Sequence, residues 1–189
     1  MAGRSDTQQT ERDLPQLRMV HPLAELPSER ALPIGYGLRQ ATGSDAAAIG
    51  RVLKTAFGEP WSTPKVNSEL LENDTVPATF VIENEDGIVA TASYQLKLQP
   101  DLEAAWLHWV GALPSEKGKG LGEIVSRRVL QEAVERGGSG VYLSTDDFRL
   151  PAIRTYLRLG FEPDLCDASH PERWAAVMAS LGSPSSEGR

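Results

Sequence analysis

The chain predicts an α/β domain, of the mixed α+β kind, built on a sheet of about six strands with helices on both faces. Three observations carry that reading. Short runs rich in β-branched and aromatic residues alternate with segments whose apolar residues recur at helical spacing. One pair of runs is joined by Asp86-Gly87, a hairpin turn signal. A length of 189 residues, 40% hydrophobic and 24% charged, suits one core of ordinary size and leaves little room for a second domain.

Residues 1–13 read as a disordered tail rich in Gln, Thr and charge. Residues 14–33 read as an extended arm lying on the domain, because Pro15, Pro22, Pro27 and Pro33 fix φ and remove donors. The folded domain spans 34–182, and 183–189 is a second polar tail. Tyr36 to Ala41 is the first strand. A helix follows from Ser44 or Asp45 to Phe57, with Ala48, Ile49, Val52, Leu53 and Phe57 on one face; Ser44 or Asp45 caps it by accepting from a free amide of the first turn. A weaker helix covers Lys65 to Glu72. Thr79–Glu83 and Ile88–Leu98 form the hairpin, and Trp106–Leu113 is the next strand.

Gly118 to Arg136 is mostly helix, closed by Gly137-Gly138, where left-handed backbone costs least. Ile124, Val125, Val129 and Val134 supply its buried stripe, while Glu123/Arg127 and Glu132/Arg136 pair on the wet side. Val141–Thr145 is a strand. Pro151–Leu159 is a helix with Pro151 in its first turn and Gly160 at its exit. Phe161–Cys166 is the last strand and His170–Leu181 the closing helix, whose Trp174 packs downward.

Composition narrows the function. A formal charge of −7 argues against a nucleic-acid partner, which needs a basic surface. The single cysteine, Cys166, forms no internal disulfide, and His21, His108 and His170 have no metal-ligand spacing, so no metal is expected. The N-terminal stretch is polar and no run is long enough to span a membrane, which makes the cytoplasm the default location.

The informative stretch runs from Val110 through Pro114 to Gly122. Gly118, Gly120 and Gly122 carry no side chains to block a ligand. Their amides open a helix, where unpaired N–H groups and the positive dipole end suit a pyrophosphate. Lys117 and Lys119 add positive charge. The glycines alone fit a surface loop equally well; the strand before and the amphipathic helix after favour phosphate. Without Gly-Lys-Ser/Thr this is not a P-loop, and G-x-G-x-G spacing is not the dinucleotide fingerprint.

Lys117-Gly-Lys-Gly120-Leu-Gly122 resembles motif A of the GCN5-related N-acetyltransferase (GNAT) superfamily, although Lys stands where Gln or Arg is usual. Ala152-Ile-Arg-Thr-Tyr156-Leu-Arg-Leu-Gly160-Phe161 resembles its motif B, in the right order downstream. The likeness runs from about Gly37 to Pro163. It implies a mixed sheet, antiparallel at first, with a parallel pair where Trp106–Leu113 and Val141–Thr145 splay apart around acetyl-CoA. It further implies direct transfer of acetyl to an amine, of a small molecule in the leading reading. A protein N-terminus or lysine, or a regulatory module without turnover, are the alternatives.

In that scheme Val110, Gly111 and Ala112 pair with the pantetheine arm, and Gly111 permits the bulge that splays the strands. The amides of Gly118, Lys119, Gly120, Leu121, Gly122 and Glu123 hold the pyrophosphate, with Lys117 and Lys119 adding charge. A free N–H near Ala112 faces the oxyanion. Tyr156 protonates the leaving thiolate; periodicity alone would make it a core aromatic. His108 is the first choice of base, with a structural histidine as the plain alternative. Ser144 stands where some relatives have a glutamate, and Glu103 and Asp146 are weaker bases. Arg149, replacing a frequent Asn, contacts a CoA phosphate or an acidic substrate group, or else pairs with Asp146 or Asp147. Phe57, Trp61 and Tyr94 line an acceptor pocket or simply fill the core. The oligomeric state is open, a homodimer included.

Overall fold

The computed structural model describes residues 14–99 and 102–182; the tails expected at 1–13 and 183–189 lie outside the described residues. The strands are β1 (Leu17–His21), β2 (Gly37–Gln40), β3 (Ala78–Asn84), β4 (Gly87–Gln99), β5 (Leu102–Ala112), β6 (Val141–Thr145) and β7 (Glu162–Asp164). The helices are α1 (Ala46–Phe57), α2 (Thr63–Val66, continuing as a π turn through Leu71), α3 (Leu121–Glu135), α4 (Leu150–Arg158) and α5 (His170–Gly182).

The strands form one seven-stranded sheet in the order β2-β3-β4-β5-β6-β1-β7. Neighbours are antiparallel except β5 and β6, which run parallel. The seventh strand comes from the segment expected to be an arm. Leu17, Met19 and His21 point into the protein while Arg18 and Val20 alternate outward, and the segment fills the gap between β6 and β7. Pro15 and Pro22 bracket this strand without interrupting it, so they mark its ends.

Two apolar clusters cover opposite faces. On one, Ile49, Val52 and Leu53 of α1 pack with Val66 and Leu70 against Val81 and Ile88. On the other, Ile124, Val125, Val129 and Leu130 of α3, with Ile153 of α4 and Trp174 of α5, cover Phe80, Ile82, Leu107 and Leu143. The start of α1 is tied to the sheet by charge. Arg39 of β2 donates to both oxygens of Asp45, at 2.7 and 3.0 Å, and to Glu83 of β3. The Thr42 amide also donates to Asp45, at 2.7 Å. Gly50 lets α1 approach the loop after it, since a β-carbon there would lie 2.5 Å from the Trp61 carbonyl oxygen.

Several elements differ from expectation. Helix α3 begins at Leu121, because Gly118 and Gly120 take left-handed φ of +86° and +76° and hold the preceding turn outside the helix. Val134 is 44% exposed; Ala133 takes the core position. Glu132 and Arg136 pair as expected, at 2.8 Å. Arg127 instead donates to the Pro27 carbonyl, anchoring the arm to α3, and Glu123 faces Arg158 and Arg30. Strand β5 begins at Leu102 rather than Trp106, and β7 is only Glu162–Asp164.

Candidate active site

Strands β5 and β6 pair only through Ala105–Val141 and Trp106–Tyr142. Beyond that point β6 leans on β1, pairing Leu143 with Met19, Ser144 with Arg18 and Thr145 with Leu17. β5 stays with β4. The edge of β5 that follows Trp106 therefore faces an opening in the middle of the sheet.

A bulge in β5 turns this strand. Thr91 pairs with Gly111 and Ser93 with His108, so β5 carries one more residue than β4 in this interval. Trp109 takes the left-handed conformation, with φ of +49°. Such backbone costs an L residue roughly 1–2 kcal/mol. Edge-on ring contacts to Phe57 at 5.1 Å, Trp61 at 4.6 Å and His108 at 4.8 Å offset it, each worth about 0.5–1.5 kcal/mol. The bulge thus belongs to Trp109 and not, as expected, to Gly111. Gly111 serves packing instead: a β-carbon there would sit 3.2 Å from that of Ala56 on α1.

The opening contains a cavity of about 310 Å³. Leu107, His108, Trp109 and Val110 form its β5 wall, Ser144 and Thr145 its β6 wall with Asp146 just beyond, and Arg149 and Tyr156 its α4 side. Phe57, Glu59, Lys97 and Gln16 complete the lining. Tyr156 is buried, at 8% exposure, with its ring edge-on to Phe161 at 5.9 Å. Burial pushes its phenol up to about 12, although the charge of Arg149 pulls the other way. His108 is pushed down to about 4, first by burial and then by the charge of Lys97. At neutral pH the first is a protonated acid and the second an unprotonated base.

Arg149 does not pair with the aspartates beside it. Asp147 is held by Arg173, and Asp146 accepts from Gln16 at 2.9 Å. The Arg149 guanidinium lies 4.5 Å from the centre of the Phe57 ring, inside the cavity lining. Trp61 is core against Trp109, and Tyr94 is buried in the opposite face with α3. The Glu103 side chain lies outside the described residues.

The glycine turn enters α3 through Gly120, so Leu121, Gly122 and Glu123 present first-turn amides. The Leu121 side chain itself is core, at 2% exposure. Lys117 is exposed. Lys119 is bound locally: its ammonium donates to Glu116 at 2.9 Å and to the Tyr36 hydroxyl, which itself donates to Glu116 at 2.6 Å. Other positive charge at the turn comes from elsewhere in the chain. Arg158 approaches Glu123 to 3.4 Å and Arg30 to 3.7 Å. No spacing in the sequence marks these arginines, or Lys97, as neighbours of the site.

A family model described as the acetyltransferase (GNAT) family matches residues 46–161, a span that contains α1, the bulged β5, the glycine turn and Tyr156. The chain belongs to that family. Its relatives include the mycothiol acetyltransferases of Thermomonospora curvata, 30% identical over 77% of this chain and 50% of theirs, and Nocardia farcinica, 28% identical over 85% and 56%. The chain spans about half the length of these curated relatives. A neighbour in fold among solved structures is a predicted acetyltransferase from Clostridium acetobutylicum with acetyl-CoA. It has a TM-score of 0.56, 20% identity, and coverage of 67% of this chain and 90% of that one. The fold reached from the sequence is thus that of the GNAT family, with seven strands in the sheet where about six were expected.

Among the described residues no helix is long and apolar enough to cross a membrane. No group of three or more His, Cys, Asp or Glu among them is placed to hold a metal ion.

Proposed function

We propose that the chain is an acetyl-CoA-dependent N-acetyltransferase acting on a small-molecule amine. The observation that carries this reading is the parting of β5 and β6 after Trp106 and Tyr142, which opens the sheet onto a cavity bordered by Tyr156 and His108. Acetyl-CoA supplies an activated acetyl group on sulfur. The fit rests on the free edge of β5 at Val110, on a cavity of about 310 Å³, and on a turn in which Gly118 and Gly120 hold left-handed backbone before the α3 amides.

The roles follow from the groups present. The amine nitrogen attacks the thioester carbonyl carbon, a C–N bond forms and the C–S bond breaks. Tyr156, kept protonated by burial, gives its proton to the departing sulfur. His108 is neutral and takes the proton the nitrogen loses, directly or through water. Burial and the charge of Lys97 lower its basicity. First-turn amides of α3 face the pyrophosphate, and Arg158 and Arg30 add charge beside it.

Calorimetric titration with CoA and acetyl-CoA tests the binding half, and thiol release with a panel of amines tests transfer. Micromolar binding with amine-dependent thiol release is expected. No heat with either compound would overturn the reading. Binding without transfer to any amine would leave a non-catalytic acyl-CoA-binding module in its place.

A further inference from the structure

Lys97 and Arg149 both line the cavity that holds His108 and Tyr156. In a chain of formal charge −7, cations readily find carboxylates. Arg18, Arg39, Arg128, Arg136 and Arg173 do so here. Lys97 and Arg149 make no ion pair among the described residues. Each rests on an aromatic ring, Lys97 4.1 Å from the centre of Trp106 and Arg149 4.5 Å from that of Phe57. A ring face holds a cation by its quadrupole but leaves the N–H donors free for an anion.

The same cavity carries the opposite sign. Glu59 and Asp146 line it too, each already touching a partner, Lys65 at 3.8 Å and Gln16 at 2.9 Å. A lining with cations on rings and carboxylates nearby is complementary to a molecule that bears both an ammonium and an acid. The geometry points to an acceptor that is an amino acid or short peptide, whose amine is acetylated while Lys97 and Arg149 hold its carboxylate. This rests on the acetyl-transfer reading and names its substrate class. The chemistry is consistent at the base as well. Lys97 is one of the influences that hold His108 down, and a carboxylate seated on Lys97 cancels that influence when the substrate is in place.

The experiment compares free amino acids with their C-terminal amides as acceptors, at saturating acetyl-CoA, with the full chain. The acids are expected to exceed their amides at least ten-fold in kcat/KM, mainly through KM. Lys97→Met and Arg149→Met should each bring that ratio toward one, while Lys97→Arg and Arg149→Lys retain most of it. Thermal denaturation checks that the variants fold. Amides or polyamines used as well as the acids by the wild type would overturn the proposal. So would a ratio untouched by both methionine variants. An Arg149→Met effect confined to the KM for acetyl-CoA would move Arg149 to the cofactor and overturn its part. Turnover of other amines in any of these cases leaves the acetyl-transfer reading standing, whereas no turnover of any amine defeats both.

Discussion

Arg30 lies against Gly120 so closely that a β-carbon at Gly120 would come within 2.5 Å of the guanidinium carbon. The arm is thereby seated on the turn that opens α3. Gly120→Ala has to displace Arg30 and also place an L residue at φ of +76°, which costs roughly 1–2 kcal/mol. A fall in Tm of a few degrees is expected, together with weaker CoA binding by calorimetry. An unchanged Tm and Kd would show that the turn tolerates a side chain.

Gly50→Ala separates packing from helix propensity. In an exposed helix that change stabilises by about 1 kcal/mol. Here the new methyl meets the Trp61 carbonyl oxygen at 2.5 Å, and backbone cannot swing aside as a long side chain can. A loss of about 1–3 kcal/mol is expected in denaturant unfolding, and a gain would contradict the close approach of α1 to that loop.

Tyr156→Phe removes one oxygen from the cavity and keeps the ring against Phe161. Turnover number should fall about ten-fold or more, with Tm and acetyl-CoA affinity near wild type. An unchanged kcat would take the proton donor away from Tyr156.

Burial and Lys97 push His108 down to about 4. If it accepts the proton, the acidic limb of the kcat/KM profile should bend near 4 rather than near the free-imidazole value of about 6.5. Lys97→Met should move the bend upward but leave it below that value, because burial is the larger cause. A bend that ignores the Lys97 substitution would assign the limb to another group.

Arg39 holds the Asp45 carboxyl down to about 2 from its usual 3.8. A carboxylate with a depressed folded pKa contributes stability that is complete above its unfolded value and is lost as pH falls through the folded one. Stability should therefore decline between pH 4 and 2. Asp45→Asn should cost on the order of 1–2 kcal/mol at neutral pH and flatten that decline in acid titrations followed by circular dichroism.

Most of the sheet was legible because its strands carry local signals: β-branched runs, the Asp86-Gly87 turn, and glycines where helices begin and end. The left-handed glycines before α3 and Tyr156, which lines the cavity, likewise lie in short local motifs. What escaped depends on distant partners. β1 escapes because the prolines around it read as an extended arm, and its pairing partners lie at the other end of the chain. Residue type alone puts the bulge at Gly111, whereas the aromatic cluster of Phe57, Trp61 and Trp109 decides it. Lys97 reaches the cavity only because the long β4–β5 hairpin carries it there.

The position of β1 has a consequence for how the protein is made. Its partners, β6 and β7, leave the ribosome long after it does, so its backbone donors and acceptors must wait without a template. Until residue 164 has emerged, the half of the sheet that borders the cavity has no closing strand. Assembly of that half therefore rests on contacts between remote parts of the chain, which are slow to form. The cavity, lined from β5, β6 and α4, is accordingly completed only in the later part of synthesis.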